Sequence, residues 1–295
     1  MKILVAGNSG QVATSLKEAG LVSNHNVVCV GRPDLDVADL ESVKQAVSDH
    51  HPDLVINAAA FTAVDAAETA SEDAYLVNEQ GAAMLALVTA DLGLPIIHIS
   101  TDYVFDGSLR ASYAESDDVS PLGVYGASKL AGERAVIANN PKHYIFRTAW
   151  VYSPFGKNFV KTMLRLAESR DEISVVDDQI GSPTSALDIA DALLEVATHL
   201  ETNPNFAGAG VYHLGGTGIA SWADLAEAAL VHLQRRANKN VSIIRIESKD
   251  FPTPTQRPMN SRLNSRKAQR VFGVRLPEWR TSVRLCVDRI LNGEL

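Results

Sequence analysis

A strand that runs directly into a glycine-spaced turn and then a helix constrains this chain from its first residues. Met1-Lys2-Ile3-Leu4-Val5-Ala6 is a short apolar strand, and Gly7-Asn8-Ser9-Gly10-Gln11-Val12-Ala13 leads from it into a helix over roughly residues 10–20. A dinucleotide pyrophosphate requires that order. Gly7 permits a tight turn, Gly10 lets backbone approach the phosphates, and a small Ala13 lets helix pack on strand. The free N–H groups at the helix start then face the anion. Gly7, Asn8, Gly10, Gln11 and Val12 are therefore the first cofactor-binding candidates. No Gly-Lys-Ser/Thr follows, which argues against a nucleoside-triphosphate loop.

The remaining N-terminal half repeats the alternation. Val27–Val30, Asp53–Asn57, Pro95–Ser100 and Tyr144–Arg147 read as short buried strands, and Asp39–His50, Asp65–Leu92 and Tyr125–Asn139 as helices, with Asp39 as an N-cap. Repeated strand–helix–strand units predict an α/β fold, a Rossmann-type doubly wound parallel sheet, with ligands outside the carboxyl ends of the strands. Gly7, Asn57-Ala58-Ala59-Ala60, Ser100-Thr101 and Thr148-Ala149-Trp150 all fall at such ends and should meet in one crevice. Beyond residue 150 the texture changes. Phe155–Ser169 is strongly amphipathic, Asp177–Thr184 is a polar loop, Ala186–Leu200 and Ser221–Arg236 are helices around a strand at Val211–Leu214, and Phe251–Asn264 is rich in proline. The expectation is a dinucleotide-binding domain over 1–150 and a smaller substrate-binding lobe within 151–295, built from about 151–180 and 220–275, with the rest returning to the sheet.

Within this frame Tyr125 and Lys129 stand four residues apart on one helix face, and Thr101 sits at a strand end upstream. A phenol, an ammonium and a hydroxyl together can move a proton to or from a sugar or alcohol oxygen. A neighbouring cation favours phenolate, so Lys129 is expected to draw the tyrosine from its usual ~10 toward neutrality. His98, inside an apolar strand, reads as a satisfied core histidine, and Asp102 and Asp106 as turn caps. At the end of the second strand, where an acidic residue would hold the ribose of NADH, the chain has Arg32, which suits a 2′-phosphate. NADPH is the expected cofactor, with NADH the second candidate.

Composition removes other classes. A formal charge of −8 and a pI near 5.5 speak against a nucleic-acid surface, and no apolar run has transmembrane length, which points to a cytoplasmic protein away from membranes. Cys29 and Cys286 are the two cysteines; both are expected as buried thiols, and they cannot build a metal site.

Taken together these segments resemble the extended short-chain dehydrogenase/reductase superfamily and, within it, the dTDP-4-dehydrorhamnose reductase family. The likeness runs in order through Gly7–Val12, Asn57–Asp65, Ser100–Phe105, Tyr125–Lys129, Arg147–Tyr152, Asn158-Phe159, Asp178–Thr184 and Arg257–Leu263. It implies hydride reduction of the C4 ketone of dTDP-4-dehydro-L-rhamnose, with Tyr125 as proton donor, Lys129 on the phenolate and the nicotinamide ribose, and Thr101 on the carbonyl oxygen. It places Thr62, Val64, Asp102, Tyr103 and Trp150 around the sugar, and Asp36 and Val37 beside the adenine. Asn158, Arg257 and Arg262 are candidates for the nucleotide or diphosphate. The alternative for Trp150 is a core tryptophan at a strand end, and for each arginine surface charge. The family also raises a homodimer with a metal held by glutamates. This chain has Ser15 where an acidic residue is expected on the first helix, so no metal is predicted.

Three rivals remain. A dehydratase needs an Asp-Glu pair after the active-site threonine, where this chain reads Asp102-Tyr103. A related reductase making another nucleotide deoxysugar would look much the same. A non-catalytic NADP-binding regulatory subunit, like that of methionine adenosyltransferase, would share the patterning but has no need of Thr101, Tyr125 and Lys129.

Overall fold

The computed structural model describes residues 1–237 and 240–293. Its centre is a six-stranded, all-parallel sheet: β1 (Lys2–Ala6), β2 (Asn26–Val30), β3 (Leu54–Asn57), β4 (Ile96–Thr101), β5 (His143–Thr148) and β10 (Gly210–His213). In space the order is β2-β1-β3-β4-β5-β10, so the strand order reverses between β1 and β3. Crossover helices α1 (Gln11–Gly20), α2 (Leu40–His50), α5 (Ala82–Asp91) and α6 (Val124–Asn139) cover the sheet. Strands buried on both faces need unbroken apolar runs, and β3 has all four residues buried. Asp39 caps α2 as expected, accepting from the Glu41 and Ser42 N–H groups.

The long helix anticipated over Asp65–Leu92 is broken. Two short helices, α3 (Val64–Ala67) and α4 (Ser71–Tyr75), lead into a π-helical turn at Leu76–Gly81 before α5 begins. Two side chains account for the interruption. Glu68 accepts from the Val124 N–H at the start of α6. Asn78 exchanges two hydrogen bonds with the Phe61 backbone and donates to the Ser128 hydroxyl. Tertiary partners here outweigh helix propensity.

Helix α6 packs close on this π turn because Gly132 carries no side chain. A Cβ there would stand 2.0 Å from the Asn78 carbonyl oxygen, which is backbone and cannot step aside. Gly132→Ala is therefore expected to destabilise the protein by about 1–3 kcal/mol despite alanine's better helix propensity. Urea denaturation checks this, and unchanged or increased stability would contradict the packing.

The C-terminal part supplies a second hydrophobic cluster. It gathers Tyr152, α7 (Phe159–Ser169), β7 (Glu172–Val176) and α9 (Trp222–Ala237) with Trp279 and Val283 of α11 (Trp279–Asn292). β6 (Val151–Tyr152) and β9 (Thr184–Ser185) pair beside it, as do β7 and β12 (Ser242–Ile246), while β8 (Ile180–Gly181) lies between β11 (Ala220–Ser221) and β13 (Asn260–Ser261). α8 (Ala186–Thr202) and α10 (Arg266–Phe272) return to the sheet, where Leu193 and Phe272 join its core. The amphipathic helix begins at Phe159 rather than Phe155 because Asn158 caps it, accepting from the Lys161 N–H. Cys286 is buried and Cys29 half-buried; burial pushes their thiols up to about 12 and about 11. Among the described residues, no helix is long and apolar enough to cross a membrane.

Candidate active site

At the carboxyl edge of the sheet a cleft of about 770 Å³ opens between the sheet and the second cluster. Its floor is the switch point. Gly7, at φ +125°, lies against the Ala58 and Ala59 backbone, and the Ala58 N–H donates to the Ala6 carbonyl. The loops after β1 and β3 therefore meet, as the strand order requires. Gly10, Gln11, Val12, Ala58, Ala59 and Ala60 line this side. Gly10 is the N-cap of α1, makes no side-chain cap, and has open space where a Cβ would be. That unfilled cradle fits a dinucleotide phosphate in both shape and charge.

Other cofactor candidates lie outside the cleft. Arg32 is exposed just past β2, and Asn8 packs on Gly31 next to it, so the arginine adjoins the glycine turn. Asp36 is half-buried and accepts from the Ala38 N–H. Val37 is a core residue that covers Gly81.

The catalytic candidates converge. Thr101 ends β4, donates to Asp102 Oδ1 at 3.0 Å, and accepts from the Tyr103 N–H. Tyr125 and Lys129 rise from the first turns of α6, and Thr101, Asp102, Tyr103, Tyr125 and Lys129 all line the cleft. Gly126 makes this possible, since a Cβ there would meet the Tyr103 carbonyl at 2.2 Å. The Tyr103 and Tyr125 rings consequently sit edge to face with centroids 5.5 Å apart.

Electrostatics depart from expectation at Tyr125. Burial pushes its phenol above the usual range; the Thr101 hydroxyl opposes this, and the charge on Asp102 adds to it. Lys129, whose Nζ donates to the Ile99 carbonyl at 2.6 Å, does not offset this. Burial in turn lowers Lys129 to about 8, with Glu133 pulling it upward. Asp102 is pushed up to about 6 by burial, against hydrogen bonds from Ser261 and Thr101. The Tyr125 phenol therefore keeps its proton at neutral pH, and that proton is the one it can offer to an oxygen in the cleft.

Opposite this group stands an aromatic wall. Trp150 holds φ at +50° and stacks on Trp222 at 3.7 Å with planes 9° apart, while Gly181 clears space for the indole. Trp150 is thus neither simply core nor simply site: one face is packed, and it also lines the cleft with Thr62 and Val64. Trp222 escaped sequence reading. It opens α9 and is fixed by its Nε1–H to Gln179 Oε1, so its role depends on a register that only the folded chain displays.

Both arginine candidates for the phosphates have protein partners. Arg257 spends its guanidinium on Asp65 at 2.7 Å and on the Tyr103 hydroxyl. Arg262 donates to Asn260 and to the Arg110 carbonyl. Neither lines the cleft. Asn158 does, but its amide donates to Gln11 Oε1 and to the Ser153 carbonyl, stitching the glycine turn to the opposite wall. Lys157, unremarked in the sequence, is the exposed cation on that wall.

Comparison with known proteins agrees with this architecture. A family model described as RmlD substrate binding domain matches residues 1–292. The chain is 44% identical over 291 residues to a dTDP-4-dehydrorhamnose reductase of Sinorhizobium fredii, covering 99% of this chain and 98% of that protein. It is 40% identical to the Escherichia coli K12 protein of the same name, covering 99% of each. Among solved structures, a Clostridium acetobutylicum dTDP-4-dehydrorhamnose reductase superposes with a TM-score of 0.91 at 37% identity, covering 99% and 100% of the two chains. A Bacillus anthracis counterpart in complex with NADP gives 0.88 at 33% identity, covering 98% and 99%.

Proposed function

The chain belongs to the RmlD substrate-binding-domain family, that of the dTDP-4-dehydrorhamnose reductases, and from that premise we propose how its cleft reduces the C4 ketone of dTDP-4-dehydro-L-rhamnose to dTDP-L-rhamnose. The observation that carries the reading is the convergence of Thr101, a protonated Tyr125 and Lys129 in one cleft with an open helix N-terminus. NADPH, when bound, supplies the hydride. Gly10 and the first N–H groups of α1 hold its pyrophosphate, Ala58–Ala60 line its other side, and Arg32 meets the 2′-phosphate, with NADH the weaker alternative. Thr101 orients the carbonyl oxygen by hydrogen bond. Tyr125 gives that oxygen its proton as charge develops there, and Lys129 stabilises the phenolate that remains.

On the substrate side, Thr62, Val64, Tyr103 and Trp150 surround the sugar, the indole offering its C–H groups and methyl an apolar face. Lys157, on the cleft wall, is a further cation for the diphosphate beside Arg257 and Arg262. In this reading residues 1–150 form the dinucleotide-binding domain, and the cluster around α7 and α9, completed by α11, forms the substrate lobe. We further propose that nucleic acid plays no part and that no metal sits at the first helix, with a homodimer the assembly to test. Ser15 is buried on the Gln11 carbonyl and Glu18 is held by Arg289, so that helix offers no ready acidic ligand set.

The direct test follows absorbance at 340 nm with dTDP-4-dehydro-L-rhamnose generated in the same tube, NADPH and NADH run in parallel. Turnover to dTDP-L-rhamnose is expected, faster with NADPH. Arg32→Ala should bring the two cofactors closer together by raising KM for NADPH alone. Tight NADPH binding without turnover would favour the non-catalytic subunit, and turnover of a different ketosugar the related reductase.

A further inference from the structure

His98 touches the catalytic lysine. It is fully buried in β4, and its Nε2 lies 3.4 Å from Lys129 Nζ. Its other ring nitrogen, Nδ1, lies 3.0 Å from Asn57 Nδ2. The Asn57 side chain cannot turn over, because its Oδ1 accepts the Ala59 N–H at 3.1 Å. With its oxygen committed to backbone, Asn57 must present its NH₂ to His98, and Nδ1 must accept. Burial, reinforced by the charge on Lys129, drives the imidazole's pKa well below the usual range, so the ring is neutral and carries one proton. That proton has a single place left, on Nε2.

We propose that His98 is a positioning residue for Lys129, holding an N–H against its amine through a chain anchored at the Ala59 backbone. An amine has a lone pair to accept that hydrogen bond; an ammonium has none, and meets a donor head-on. His98 therefore favours the form of Lys129 that has just given up a proton. This rests on the catalytic part given to Lys129 above. After Tyr125 has passed its proton to the sugar oxygen, Lys129 transfers an N–H proton to the phenolate, restoring the phenol and becoming the amine. Solvent returns the proton to Lys129 once product has left.

The other groups around Lys129 pull in known directions. On α6, Glu133 lies one turn after it and Tyr125 one turn before; Arg147 of β5 is paired with Glu133; Asp102 follows β4. Glu133 favours the ammonium, and burial the amine. His98 adds to the amine side, with its Nε2 3.4 Å from Lys129 Nζ.

The tautomer is directly observable. Histidine-selective ¹⁵N and ¹³C labelling of the full chain, with the His98 signal assigned by its loss in His98→Phe, should show a neutral ring protonated at Nε2. Protonation at Nδ1 would overturn the proposal. This measurement is made on the resting protein, so its outcome is independent of turnover; it needs only that His98→Phe fold, which the unchanged signals of the other histidines would show. In the second arm, kcat for the reduction is followed against pH. Wild-type kcat falls as pH rises through the Lys129 value. His98→Phe removes the N–H, and that alkaline limb should move up by roughly half to one unit, the worth of one hydrogen bond made by the amine alone. A limb that stays in place, with kcat merely lowered, would reduce His98 to packing and sink the inference. A wild-type protein that fails to turn over would count against the reductase reading and not against the tautomer.

Discussion

Tyr125→Phe is expected to lower kcat by roughly 10²–10⁴-fold, the usual contribution of a positioned general acid, with KM little changed. The substitution is well controlled. Burial holds the phenol above its ordinary pKa, so at neutral pH the hydroxyl carries the proton the reaction consumes. The ring itself is fixed by other means: its edge-to-face contact with Tyr103 at 5.5 Å and the close approach of Gly126 to the Tyr103 carbonyl survive in phenylalanine. The hydroxyl alone is removed, with its hydrogen bond to Thr101. The 340 nm assay reads the effect, and urea denaturation confirms an intact fold. A Tyr125→Phe enzyme at full rate would move the acid elsewhere, with Asp102, pushed up to about 6 beside Thr101, the next group to test.

Much of this site was legible because it depends on period and punctuation. Strand ends are set by apolar runs, and a parallel sheet brings its carboxyl ends together, so Gly10, Ala58, Thr101 and Trp150 had to converge. Tyr125 and Lys129 share a helix face by spacing alone. What stayed hidden depends on partners distant in sequence. The π turn at Leu76–Gly81 exists because Asn78 reaches Phe61 and Ser128, contacts no local propensity encodes. Trp222 matters because Trp150 lies on it. Arg257 and Arg262 carry the right chemistry for phosphate, yet Asp65 and Asn260 claim them first. Spacing also promised a tyrosine softened by its lysine. The backbone carbonyl of Ile99 captures that ammonium, and burial sets the tyrosine's proton affinity. The β7–β12 pair was missed although Glu172–Val176 alternates exposed and buried residues, a period-2 signal that was present in the chain.

The largest stability effect should come from Glu133, one turn beyond Lys129. Arg147 grips its carboxylate with Nε at 2.8 Å and Nη2 at 2.7 Å, Ser100 donates to it at 2.5 Å, and both charged side chains are almost wholly buried. Such a pair gains little over an apolar replacement, but removing one partner strands a charge without water or counter-ion. Glu133→Leu is expected to cost about 3–5 kcal/mol in urea denaturation. Adding Arg147→Met should recover part of that loss, because the stranded guanidinium is then gone; additive losses would mean the pair is not coupled. A typical domain retains about 5–15 kcal/mol, so the single variant should still fold at 25 °C and can be assayed. Its kinetics carry a signed consequence. Glu133 raises the proton affinity of Lys129, so its loss should shift the alkaline limb of kcat downward, opposite to the shift expected for His98→Phe. Two substitutions on either side of one lysine, moving one limb in opposite directions, would locate the titrating group at Lys129 more securely than replacing the lysine itself, which abolishes the signal.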